Sequence, residues 1–176
     1  MINNTDSKWC KLKYTKTQIQ SISKPNLARL INLGKRYLKK NEVVQKMFDS
    51  YAVNIDFLDI IPCVFDDLDV SAKTVKGVIY LNLSLLEDGE YFRNLSYIVH
   101  EADHTLQQIT GKEATQNTDV KSGDNYLSSP EELSAFKIQV DYLEDEFGKA
   151  EANDYVNHLM EYHDTKDKEL KRELLD

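Results

Sequence analysis

The pentapeptide His100-Glu101-Ala102-Asp103-His104 constrains this chain more than any other stretch. On an α-helix each residue turns by about 100°, so His100 and His104 stand one turn apart and only about 40° apart around the axis. Both imidazoles then reach one point, which makes His-Glu-x-x-His a signature for two zinc ligands. Glu101 follows the first ligand directly and reaches a water beside the ion rather than the ion itself. Leu95, Ile98, Val99, Ala102, Leu106 and Ile109 recur at helical spacing and form a core stripe, with His100, His104, Gln107 and Gly111 on the neighbouring stripe. A helix is therefore expected from about Glu90 to Thr110, stopped by Gly111, with the histidine pair on a cleft wall beside the core.

The flanking sequence divides around this helix. Residues 1–23 form a polar N-terminal segment in which Trp9, Leu12 and Tyr14 are candidates for docking on the body. Residues 24–176 read as a single domain, since there are no repeats and no low-complexity linker. Within it, 24–51 is helical cover: Pro25 suits an early helical position, Leu27, Leu30, Ile31 and Leu38 form a stripe, and Asn41 is a cap for a second helix carrying Val44, Met47, Phe48 and Tyr51. The segment 52–149 is the core of the site. Its first part changes period: Val53, Ile55 and Phe57 alternate, Pro62-Cys63-Val64-Phe65 is a short apolar run, and Val75 to Leu83 reads as the clearest strand. Asp66 to Lys73 between them is acidic and turn-like. Lys112 to Ser128 is a long polar connection. Leu133, Phe136, Val140, Leu143 and Phe147 then mark a further helix, and 150–176 is a C-terminal helical region. The expected class is α+β, mostly helical, with a small sheet ahead of the histidine-bearing helix.

Composition narrows the setting. A length of 176 residues is enough for a sizeable core. The formal net charge of -8 argues against nucleic acid as a partner. Lys35-Arg36 and Lys39-Lys40 read as the solvated face of a helix. Cys10 and Cys63 make no disulfide framework, and no run approaches the roughly 20 apolar residues of a membrane span. With no apolar leader-like stretch at the start, a cytoplasmic protein without a membrane partner is expected.

Two histidines leave an ion short of ligands, because a catalytic zinc has three protein ligands and an open position. The metzincin pattern is discarded, since Gln107 and Thr110 stand where it needs Gly and His. Glu132, near the start of the next helix, reaches the pair if the two helices pack side by side. A competing role exists: Ser129-Pro130-Glu131-Glu132 is also a capping-box sequence, which accounts for Glu132 without any metal. Glu131, Asp119 and Asp124 are the reserve ligands. Tyr126, Asp103, His158 and His163 are candidates for donors to an oxyanion or for partners of the ligands, against simpler roles as surface or packing residues. His158 and His163 lie about 140° apart on a helix and do not share an ion well.

His100-Glu101-Ala102-Asp103-His104 followed by Glu132-Leu133-Ser134-Ala135 resembles the gluzincin metallopeptidases, above all the small kind with a minimal sheet and two active-site helices. The resemblance covers roughly residues 60–147 and leaves the helical N-terminal third outside. It implies a zincin-like fold, Zn²⁺ held by His100, His104 and Glu132, and Glu101 as general base. It also implies a protein or peptide substrate lying along the edge of the strand before the first active-site helix, here read as Val78 to Leu83. Two positions depart from the family pattern. Phe136 stands where many relatives carry an aspartate that orients a histidine, and Asp103 stands where a small or neutral residue is usual. These departures keep a second expectation open, a zinc-binding regulatory or interaction module with little or no catalysis.

Overall fold

In the computed structural model, which describes residues 13–111 and 126–176, the chain is mostly helical with one small sheet, an α+β architecture. Helix α1 (Lys16–Ser21) starts on a capping box in which Thr15 and Gln18 exchange side-chain and backbone hydrogen bonds. Helix α2 (Lys24–Leu38) starts on Ser23, whose hydroxyl accepts from the Asn26 N–H, with Pro25 in the first turn. Helix α3 (Glu42–Ser50) starts on Asn41, whose side chain accepts from Val44 N–H. A single turn, α4 (Phe57–Ile60), leads into strands β1 (Cys63–Asp66), β2 (Ala72–Val75) and β3 (Val78–Asn82).

Strand β3 is the middle strand. It pairs with β1 in parallel and with β2 antiparallel, which puts Thr74 opposite Ile79 and Ala72 opposite Leu81. Lys76 and Gly77, with φ of 50° and 75°, form the two-residue β2–β3 turn, whose twist suits a tight hairpin. A 3₁₀ turn (Leu83–Leu86) and the single turn α5 (Tyr91–Asn94) then deliver the chain to α6 (Ser96–Thr110). After the second described stretch begins come α7 (Pro130–Phe147), α8 (Lys149–Tyr162) and α9 (Lys168–Leu175).

The main core lies where the sheet and α2, α3 and α5 meet α6. Ile79, Leu81, Phe48, Leu95, Ile98, Val99 and Leu106 are buried together there. A second cluster joins α7 to α8 and α9 through Phe136, Val140, Val156, Leu159 and Leu174. Helix α7 lies along α6, so α6 is packed between the sheet and α7. Gly34 lets α2 lie close against Tyr91 and Leu95. A Cβ there would stand 2.5 Å from Leu95 Cδ2 and 2.9 Å from the Tyr91 hydroxyl.

Several expectations are corrected. Val53 to Phe57 is not a strand: the segment turns and enters α4. Asp66 to Lys73 is not all turn, because Ala72 and Lys73 already belong to β2. The long strand from Val75 breaks at Lys76-Gly77 into two, and β3 is interior, so the strand edge beside α6 belongs to β2. The expected helix from Glu90 is interrupted at Leu95, and Ile109, placed in the core stripe, is 52% exposed. Lys35 is not solvated: it is 4% exposed and its ammonium donates to the Ile61 carbonyl at 2.5 Å. In the N-terminal segment, helix α1 forms and Tyr14 packs on the core, as its docking candidacy implies. Trp9, Leu12, Cys10, Asp119 and Asp124 lie outside the described residues. Among the described residues, no helix is long and apolar enough to cross a membrane.

Candidate metal centre

Helix α6 carries two of the three side chains that converge. Its core stripe, Ile98, Val99, Ala102 and Leu106, is held against the sheet, which turns His100 and His104 towards α7. Gly111, in the left-handed region at φ 65°, ends the helix as its position in the sequence implies. Helix α7 supplies the third side chain. Ser129 caps it by accepting the Glu132 N–H at 3.4 Å, with Pro130 at the first helical position. The carboxylate of Glu132 does not fold back on the cap and faces the two imidazoles instead. The cap uses Glu132's backbone and the site uses its side chain, so the two roles coexist.

His100 Nε2 and His104 Nε2 are 3.2 Å apart, and each lies 3.4 Å from Glu132 Oε2. Three ligands of a tetrahedral ion at about 2.0–2.1 Å stand roughly 3.3 Å from one another, so the triangle has the size of one face of such a coordination shell. The contacts are long for charge-assisted hydrogen bonds, which run at about 2.7–2.9 Å. Glu132 Oε2 is buried and has no hydrogen-bond partner among the described residues. Three lone-pair atoms converging around a buried, unsatisfied carboxylate oxygen fit a bound cation. Among the described residues, this is the group of metal-ligating side chains whose atoms all lie within 4.8 Å of one another.

The electrostatics follow from burial and this contact. Burial works to raise the Glu132 carboxyl, but pairing with His100 and His104 outweighs it and holds the group far below the ordinary carboxylate range. Burial works to lower His104, and the carboxylates of Glu132, Glu101 and Asp103 reverse that into a net rise.

Glu101 is 7% exposed and opens into a cleft of about 660 Å³ whose walls include Tyr97, His100, Tyr126, Phe136 and His163. Thr74 on β2 donates its hydroxyl to Glu101 Oε2 at 2.6 Å. Sequence reasoning missed Thr74, because it falls between a segment read as turn and a strand read as starting at Val75, in a strand of only four residues. The Tyr126 phenol lies close enough to Glu132 and Glu101 to feel their charges, and its ring stacks on that of His163, with centroids 5.3 Å apart. Burial and then the nearby carboxylates push its phenol well above the ordinary tyrosine value, so it remains a donor. His163 shifts the other way, with burial lowering its pKa. His158 is away from the cleft, exposed on α8 and paired with Asp154.

Asp103 faces neither imidazole with a hydrogen bond. It is 1% exposed and accepts from Tyr51, Gln107 and Ser134. Phe136 packs against His100, with ring centroids 4.4 Å apart. His100 Nδ1 is buried with no hydrogen-bond partner among the described residues. No protein-family model, curated protein or solved structure matches the chain, and the reading of the site rests on its own geometry.

Proposed function

We propose that this chain is a zinc-dependent metallopeptidase. The observation that carries the reading is the triangle of His100 Nε2, His104 Nε2 and Glu132 Oε2, with Glu101 in the same cleft. Two imidazoles and one carboxylate make a donor set used by catalytic zinc. Zinc held by His100, His104 and Glu132 would supply Lewis acidity and would lower the pKa of a bound water towards about 7. Glu101 takes the proton of the attacking water on its carboxylate and delivers it to the leaving amine. Thr74 orients that carboxylate through Oε2. The Tyr126 phenol and His163 face the cleft as donors to the oxyanion. An extended protein or peptide substrate is accommodated by the outer edge of β2, whose other edge pairs with β3. The free thiol of Cys63 suits a reducing, cytoplasmic setting.

One observation favours a second reading, a zinc-binding regulatory module with little catalysis. Ligating imidazoles ordinarily donate their other N–H to an acceptor, and His100 Nδ1, on an imidazole packed against the Phe136 ring, has none among the described residues.

Zinc stoichiometry measured together with cleavage of an unfolded protein separates the two. The peptidase reading expects one zinc per chain and hydrolysis that Glu101→Gln abolishes while the zinc is retained. One zinc without turnover over many unfolded substrates selects the module, and a Glu101→Gln variant with full activity defeats the mechanism.

A further inference from the structure

The histidine pair shares one helix, so its geometry is set by α6 alone. Glu132 arrives on a different helix, and its place depends on how the first turn of α7 is fixed to α6. Apolar packing allows sliding by fractions of an ångström, whereas a ligand triangle with edges of 3.2–3.4 Å does not.

The fixing group is Asp103, one residue before His104. Its carboxylate Oδ2 accepts from Ser134 Oγ at 3.0 Å and from Gln107 Nε2 at 2.6 Å. Gln107 Nε2 also donates to the Glu131 carbonyl at 3.2 Å. The two connections grip α7 on either side of Glu132 in sequence, at residues 131 and 134. The other oxygen, Oδ1, accepts at 2.9 Å from the hydroxyl of Tyr51, the residue that caps the end of α3. A buried carboxylate is costly unless its oxygens are satisfied, and here three donors satisfy them. A well-packed apolar residue would hold the two helices together at least as strongly. Directional bonds add a single register between the helices.

We infer that Asp103 is a positioning residue for the metal centre, acting through Ser134 and Gln107 to hold Glu132 in the ligand triangle. This rests on the metal reading of the site. It gives Asp103 a different job from orienting an imidazole. It also separates two parts of the network: the Ser134 arm serves the ligand, while the Tyr51 arm ties α3 to α6 and serves stability.

The test compares Ser134→Ala with Tyr51→Phe, each removing one donor to Asp103. Zinc affinity is measured by competition with a chelator of known strength, thermal stability is measured on the metal-free proteins, and cobalt absorption in place of zinc reports coordination geometry. Ser134→Ala is expected to weaken zinc binding by about 10-fold and to change the cobalt spectrum, as loss of an outer support does in other metal sites. Ser134→Thr, which keeps the hydroxyl, is expected to restore both. Tyr51→Phe is expected to lower the melting temperature with zinc affinity within about twofold of wild type, a margin of roughly 0.4 kcal/mol. If Ser134→Ala binds zinc as tightly as wild type, the inference fails while the metal reading stands. If both variants weaken zinc in proportion to lost stability, Asp103 is merely structural and the inference fails. If the wild-type protein takes up no ion at His100 and His104, the metal reading itself fails and the inference goes with it.

Discussion

Thr74 Oγ1 on strand β2 lies 2.6 Å from Glu101 Oε2 on α6, a short bond from an edge strand to a carboxylate in the cleft wall. It ties the position of the strand edge to the orientation of the carboxylate. If Glu101 is the general base, Thr74→Val should leave zinc uptake intact and reduce turnover by about 10- to 100-fold, the scale expected when a reacting group loses its alignment. Thr74→Ser should recover most of it. Equal turnover in Thr74→Val and wild type would show that Glu101 needs no such support.

Gly34 gives a prediction independent of function. Alanine has a higher helix propensity than glycine by about 1 kcal/mol, so propensity alone favours Gly34→Ala. The added methyl would overlap Leu95 Cδ2 and crowd the Tyr91 hydroxyl, which donates to the Leu30 carbonyl. Overpacking of this kind costs about 1–3 kcal/mol, and at 2.5 Å from a fully buried Leu95 the middle or upper part of that range applies, which exceeds the propensity gain. Gly34→Ala should therefore melt several degrees below wild type. A melting temperature equal to or above wild type would mean that α2 moves away from Leu95 at little cost.

These relationships mark where sequence reading worked and where it stopped. Helices α6 and α7 were legible because their apolar residues repeat at helical spacing and their ends carry Gly111 and Ser129-Pro130. The histidine pair was legible because both residues sit on one helix. Glu132 was ambiguous for a physical reason: capping uses the backbone N–H and ligation uses the side chain, and the sequence shows only the residue. Strand β2 was hidden because four residues following an acidic stretch carry too little pattern, and its identity depends on pairing with β3. Lys35 was misplaced because its burial depends on the Ile61 carbonyl, which approaches from α4 and leaves no mark near Lys35 in the chain. Asp103 follows the same rule, since its partners come from the end cap of α3, from α6 and from α7.

Cys63 provides a probe of the sheet. Burial pushes its thiol up to about 12, against the lowering effect of the Lys35 charge. The thiolate is the reactive form, so at neutral pH Cys63 should be nearly inert. In a Cys10→Ser background, a disulfide reagent should label Cys63 only at the rate of local or global opening, and at once in denaturant. Rapid labelling of the folded protein would show that β1 opens readily.

The His104–Glu132 contact predicts opposite pH responses for the metal-free and metal-loaded protein. His104 is raised above its unfolded value of about 6.5, so its contribution to stability is fully present below that pH and is lost as pH rises through the folded value. Glu132 is depressed, so its contribution is present above the unfolded value of about 4.3 and is lost as pH falls towards the folded one. The Glu132 carboxylate is common to both shifts, through His100 and His104 in its own and as the partner in that of His104, so this pairing stabilises the metal-free protein most between about pH 4.5 and 6.5. A metal ion requires His104 neutral and displaces its proton, so zinc affinity should rise with pH over the range in which the metal-free contact weakens. The readout is the melting temperature of wild type minus that of Glu132→Gln, followed from pH 5 to 8.5. With chelator present the difference should shrink as pH rises above about 6.5, and with saturating zinc it should grow. A metal-free difference that stays constant across that range would mean that the Glu132 carboxylate does not hold the proton on His104.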